Sequence, residues 1–151
     1  MADKVIDSIA KDSPYALFET NKDLERNGVK IDYGPFYFII ARAGGANTRF
    51  RDVYRKKTLA HQRAMATNTL PDELAEKLSI ETFGEATVLG WGSKAHGVGK
   101  IENRDGTVAK FNLENVIRFF TDLPDMARDL MEQSQNAQLF KQIMAEEDAK
   151  N

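Results

Sequence analysis

Cysteine is absent from this chain, and histidine is limited to His61 and His96. Disulfides, thiolate metal sites and cysteine nucleophiles are therefore excluded, and two histidines leave little for a histidine-based metal cage. Long apolar runs are lacking too. The longest begins at Pro35 and is interrupted by Arg42, far below the roughly 18 residues that a bilayer span requires. The N-terminus, Met1-Ala2-Asp3-Lys4-Val5-Ile6-Asp7-Ser8-Ile9, carries acids early and has no uninterrupted apolar core, so it does not read as a secretory signal. A cytoplasmic protein is the expectation. Catalytic patterns are equally scarce, because Ser, Asp and Glu are scattered with no nucleophile elbow and no metal-ligand spacing. Gly97-Val98-Gly99-Lys100 falls short of a phosphate loop, since Ile101 stands where a magnesium-binding hydroxyl is needed. Asn103-Arg104-Asp105-Gly106 lacks the twelve-residue ligand pattern of a calcium loop and reads as a turn. No catalytic residue, metal ligand or cofactor is expected.

What is present fits one folded domain: 151 residues, 42% hydrophobic and 29% charged, close to soluble globular averages. The charge is unevenly spread. Between Arg42 and Arg63 stand Arg42, Arg49, Arg51, Arg55, Lys56, Lys57 and Arg63 against Asp52 alone, a local charge of +6. The net charge is −2, so the remainder carries −8. Such a divided molecule can steer toward a charged partner or associate head to tail, although a solvated charged face is the commoner meaning of such a run.

The pattern of the chain predicts an α+β, helix-dominated fold of about four helices with one or two small β-hairpins. Residues 1–27 read as an N-terminal arm, with a short helical pattern at Val5, Ile6, Ile9 and Ala10 and a break at Ser13-Pro14. Residues 28–148 read as one compact domain, and 149–151 as a frayed end. Val29 to Tyr33 alternates at the strand period, Gly34-Pro35 turns, and Phe36 to Ala41 returns, which predicts a hairpin. An isolated hairpin is marginal in water, so its apolar side needs helices or a further strand. Asn47 is the expected N-cap of a helix reaching about Met65, and Thr69-Leu70-Pro71 opens a second. That second helix is expected to carry Leu74, Leu78, Thr82, Ala86 and Leu89 and to end at Gly90-Trp91-Gly92, with Trp91 a core anchor. Asp105-Gly106 predicts another hairpin turn. Asn112 starts a short helix with Val116, Ile117, Phe119 and Phe120, and a last helix is expected from Pro124 to about Glu146.

The basic helix is the candidate binding element. Arg49, Arg55, Lys56 and Arg63 are its candidate partner contacts, with Tyr37 and Ile39 of the hairpin as apolar ones. Phosphate neutralisation by these cations, with Tyr54 stacking on a base, is one reading. The acidic total, a sequence pI near 5.7 and the absence of any nucleic-acid signature weigh against it. A protein partner bearing acidic helices meets the same charge with fewer assumptions.

Several motifs also occur in a recognisable order. Asn21-Lys22-Asp23-Leu24-Glu25-Arg26-Asn27-Gly28 leads in, followed by Asp32-Tyr33-Gly34 at the hairpin turn and Ile40-Ala41-Arg42-Ala43-Gly44-Gly45-Ala46-Asn47 before the basic helix. Val88-Leu89-Gly90-Trp91 and Phe119-Phe120-Thr121-Asp122-Leu123-Pro124-Asp125 follow. Over roughly residues 20–150 this order resembles the tail assembly chaperones of long-tailed, siphovirus-type bacteriophages. The resemblance implies a non-catalytic protein of the host cytoplasm, absent from the mature virion. Such a protein binds the tape measure protein, keeps it soluble and helps tail-tube subunits assemble. Ala149-Lys150-Asn151 can be encoded GCA-AAA-AAC, a string that permits programmed −1 frameshifting. In proteins of this kind a frameshifted extension recruits the tail-tube protein. A virion structural or tail/head completion protein and a small nucleic-acid-binding phage factor are the competing classes, and self-association stays open.

Overall fold

The computed structural model describes residues 10–141. The expected helical pattern at Val5, Ile6 and Ile9 lies outside them, as do Ile143, Met144 and the acids Glu146, Glu147 and Asp148. In chain order the elements begin with α1 (Pro14–Phe18), α2 (Lys22–Asn27), β1 (Val29–Asp32) and β2 (Phe36–Ile40). Next come α3 (Thr48–Thr58), a 3-10 turn at Leu59–His61, α4 (Gln62–Ala66) and α5 (Asp72–Ala86). Strands β3 (Val88–Ser93), β4 (Gly97–Val98), β5 (Lys100–Glu102) and β6 (Val108–Lys110) follow. Helices α6 (Leu113–Asp122) and α7 (Pro124–Gln135) and a 3-10 turn at Ala137–Phe140 complete the described chain. The fold is α+β and helix-dominated.

The hairpin forms as its alternation predicts, with Ile31 opposite Phe38 in an antiparallel ladder. Its marginal stability is relieved by a third strand, β3, which pairs with β2, and β4 extends the sheet in the order β1-β2-β3-β4. This overturns the expected helix end at Gly90-Trp91-Gly92: the helix stops at Ala86, and Leu89 lies on a strand. Val88 and Trp91 are three residues apart, a helical spacing that a regular strand cannot place on one face. A register shift resolves it, since Ile39 faces Gly90 while Ile40 faces Val88. Leu89 is the extra residue of the resulting bulge and points outward, 37% exposed. The second hairpin, β5 and β6, turns around Asp105-Gly106.

Helices cover one face of the sheet. Phe38 and Ile40 of β2, Val88 and Trp91 of β3, Phe83 of α5, Val116 and Phe120 of α6, and Leu130 of α7 are buried together. Trp91 meets Phe38, Phe111 and Phe119 edge-on at centroid separations of 5.7, 5.3 and 5.4 Å, and its Nε1 donates to the Gly99 carbonyl at 3.2 Å. Such edge-to-face pairs favour a single arrangement of the core beyond what burial alone would select. At the sheet's end the Tyr33 hydroxyl donates to Asp129 of α7. Burial and that carboxylate both push the phenol well above its ordinary range.

Three helix termini depart from expectation. The last helix ends at Gln135, not near Glu146, because Asn136 turns extended and its side chain accepts from the Gln138 amide, capping a separate turn. Neither Asn47 nor Thr69 caps a helix: Thr69 bonds back to Ala64, and Asn47 is used elsewhere. Asn112 does cap α6, accepting from the Asn115 amide at 2.8 Å.

Replacing Trp91 or Phe120 by alanine is expected to cost about 3–5 kcal/mol, because both are enclosed and the cavity cannot collapse. The measurement is the urea midpoint, with Leu17→Ala as a control: Leu17 is 61% exposed, and its loss should change stability by less than about 0.5 kcal/mol.

Candidate functional site

The basic helix is positioned by a buried carboxylate. Glu25 of α2 is 2% exposed and accepts from Thr20 Oγ1 at 2.7 Å, Arg42 Nη1 at 2.8 Å and the Ala46 amide at 3.2 Å. The Arg42 amide donates to the Glu25 carbonyl, and the Ala43 amide to the Ser134 carbonyl of α7. Asn47 Nδ2 then bridges the Arg42 carbonyl at 2.8 Å and the Ala86 carbonyl at 3.2 Å. The loop from Ala41 to Asn47 is thus fixed at both ends before α3 begins. The segment expected to be a loosely tied arm therefore contains, in α2, the anchor of this loop.

Helix α3 lies on α5. Lys57 reaches two carboxylates of α5, Glu85 at 3.5 Å and Glu81 at 3.8 Å, and Arg42 is occupied by Glu25. Two of the seven local cations are thereby committed to holding the fold. Arg51 lies 3.7 Å from Asp52, with both side chains well exposed, a geometry that adds little. Arg49, Arg55, Lys56 and Arg63 are exposed and form no ion pair among the described residues.

They do not share one face. With 3.6 residues per turn, Arg51 and Arg55 fall on the flank beside Tyr54 and Thr58, whereas Arg49 and Lys56 fall on another. Arg51, absent from the expected set, is the partner of Arg55 on the first flank. That flank borders an apolar groove of about 270 Å³. Phe50 and Tyr54 of α3, Met65 of α4, Leu78 of α5 and Met131 of α7 line it, with Phe83 and Ser134 at its floor. Phe50 and Tyr54 stack along its wall, 6.5 Å apart and 8° from parallel. Tyr54 and Met65 remain 44% and 37% exposed. The groove opens past Thr58 and Met65 into a shallower depression bounded by Arg51, Arg55 and Gln62. Thr82, 1% exposed, also borders the groove, and its Oγ1 has no hydrogen-bond partner among the described residues.

Tyr37 and Ile39 lie elsewhere. β2 sends Phe38 and Ile40 into the core and these two to the opposite sheet face. There the Tyr37 ring lies against Gly92, where a Cβ would come within 2.3 Å of the phenol oxygen. Lys30 Nζ sits over the same ring, 4.3 Å from its centroid. The structure therefore separates the two apolar contacts expected from the hairpin from the basic helix.

Among the described residues, no group of three or more acid or histidine side chains is placed to hold a metal ion, and no helix is long and apolar enough to cross a membrane. Gly97-Val98 is strand β4 and Lys100 opens β5, so the glycine run does not precede a helix as a phosphate loop does. His96 contacts Glu102 at 2.9 Å, and His61 closes the 3-10 turn after α3.

A family model described as YdaY prophage protein matches residues 45–151, which takes in most of the chain. The chain belongs to that family. Its origin is therefore phage-derived. No curated protein and no solved structure matches it. The matched region holds α3, α4, α5 and α7, hence all the helices that wall the groove, whereas Glu25 and the first hairpin precede it.

Burial alone would push the Glu25 carboxyl up, but hydrogen bonds from Thr20, Arg42 and the Ala46 amide, with the Arg42 charge, outweigh it and hold the carboxyl below its ordinary value of 4.5. A depressed native value means that the stabilisation is fully present above about pH 4.5 and is lost as pH falls through the native value. Arg42→Ala, which strands a buried carboxylate, is expected to cost about 3 kcal/mol at neutral pH. Glu25→Gln should flatten the acid limb of the stability curve, as read by thermal midpoints across pH 3 to 7. An unchanged acid limb would show that other carboxylates govern it.

Proposed function

We propose that this phage protein is a non-catalytic tail assembly chaperone of the host cytoplasm. In this reading it binds the tape measure protein, keeps that long helical polymer soluble, helps tail-tube subunits assemble around it, and leaves before the virion matures. A frameshifted extension that recruits the tail-tube protein belongs to the same reading. Three things support it: membership of a prophage family, the order of motifs along the chain, and the surface of α3 and α4. The last is the observation that carries the proposal. Arg55, with no ion pair among the described residues, stands with Arg51 at the rim of a half-exposed apolar groove, and Arg49, Lys56 and Arg63 add exposed positive charge on the same two helices, α3 and α4, which suits a partner that is both acidic and amphipathic. Long-range attraction speeds encounter, and apolar burial supplies the affinity.

The test is co-expression with the tape measure protein of the same prophage. The wild-type chain should yield a soluble complex. Arg49→Glu with Arg55→Glu should slow association and weaken its salt dependence. The free protein's stability should change by less than about 0.5 kcal/mol, because exposed charges contribute little to folding. An intact complex in the double variant would remove the basic helix from this role. Salt-sensitive binding to arbitrary DNA, without a protein complex, would favour the nucleic-acid factor, and persistence in purified particles would favour a virion component.

A further inference from the structure

The geometry points to the groove between α3, α5 and α7 as the seat of the partner. The occupant is a single helical segment that inserts apolar side chains one turn apart and lays acidic residues against Arg51 and Arg55. This deepens the chaperone reading and rests on it for the partner's identity, but not for the chemistry of the site.

Two independent features select that occupant. The first is the lining of the groove. It is an apolar trough walled by helices, and Phe50, Tyr54 and Met65 stay partly exposed along it although the chain buries comparable side chains elsewhere. A trough between helices that shows an aromatic and thioether lining suits the apolar stripe of an added helix, whose anchors recur every three or four residues. The second is charge. Arg51 and Arg55 stand along the open end of the trough, four residues apart, so two carboxylates a turn apart on the incoming helix can meet them. Arg49, Lys56 and Arg63 extend the positive field around the same two helices, so encounter is steered before contact is made.

A second copy of this chain supplies no such segment from its described helices. The acidic helix α5 carries Asp72, Glu73, Glu76, Glu81 and Glu85, but its apolar positions Ile80, Phe83 and Ala86 are already buried in the core. The exposed apolar helix α1, with Tyr15, Leu17 and Phe18, is one turn long and has no acid in its first turn.

The test uses Ser79→Trp. Ser79 lines the trough from α5 and is itself exposed, so an indole there occupies the trough without entering the core. The probe is a synthetic amphipathic helical peptide of about 20 residues, with leucine along one stripe and glutamate on its flanks. A second peptide carries lysine in place of glutamate. Binding is read by fluorescence anisotropy on the full chain. The glutamate peptide should bind, the lysine peptide should bind about tenfold more weakly or not at all, and Ser79→Trp should weaken the glutamate peptide by about tenfold or more at an unchanged melting temperature. Leu78→Ala serves as a second variant that enlarges the trough and should also weaken the peptide. Equal binding of both peptides, or undiminished binding to a folded Ser79→Trp variant, would overturn the proposal. So would single-stranded DNA displacing the peptide, or light scattering that finds a dimer which Ser79→Trp dissociates. Failure of the chaperone reading is distinguishable. If the variant loses the model peptide but keeps the tape measure complex, the trough binds acidic helices and the tape measure protein docks elsewhere.

Discussion

The carboxylate of Glu25 is the point from which the rest of the molecule is set. It is enclosed, so ionisation there is tolerable only while each of its donors is present. Those donors come from three places along the chain: Thr20 ahead of α2, the Arg42 guanidinium, and the Ala46 amide. One side chain thereby decides where the loop after the first hairpin goes. Gly45 shows how closely the loop is fitted, because at φ +55° it holds a left-handed conformation in which a Cβ would sit 1.8 Å from Glu25 Oε2. Asn47 passes the constraint on. Its amide bridges the loop to the end of α5, so α3 starts at a fixed distance from the helix on which it packs.

Much of this architecture was legible in the sequence where the signal was local. The first hairpin, the Asn112 cap, the turn at Asp105-Gly106 and the burial of Trp91 and Phe120 all follow from neighbouring residues. The missing pieces depended on distant ones. β3 contains two glycines around Trp91, which read as the end of a helix, yet each has a reason inside the sheet. Gly92 leaves room for the Tyr37 ring, and Gly90 faces Ile39 of the adjacent strand. The spacing of Val88 and Trp91 was helical because a bulge restores their common face. Asn47 looked like a cap because capping is the common local use of asparagine before a helix. Its actual bonds reach back five residues and forward thirty-nine.

The candidate site divides in the same way. That residues 42–63 are basic needs only counting, but which of those cations remain available depends on acids far along the chain. Arg42 meets an acid seventeen residues earlier, and Lys57 meets Glu81 and Glu85 of the helix beneath it. The remaining cations split over two flanks of α3, so the apparent single basic face resolves into a rim that borders apolar surface and a flank that does not. The groove itself had no sequence signature. Its walls come from helices far apart in the chain, and only their packing makes Phe50, Leu78 and Met131 neighbours.

Residue 45, where the family match begins, falls within the loop that Glu25 holds. The matched region contains both sides of the groove but not the carboxylate that positions it, nor β2, the strand against which β3 is hydrogen-bonded along its length. Without β2, Trp91 would lose Phe38 and β3 would present an unpaired edge beside a cluster of aromatic rings, an arrangement prone to association. Without α2, Arg42 would face no carboxylate and the entry to α3 would lose its fixed point. The residues preceding the match are therefore structural partners of the matched region. The surface that carries the charge depends on a hairpin and a buried acid lying on the far side of the loop.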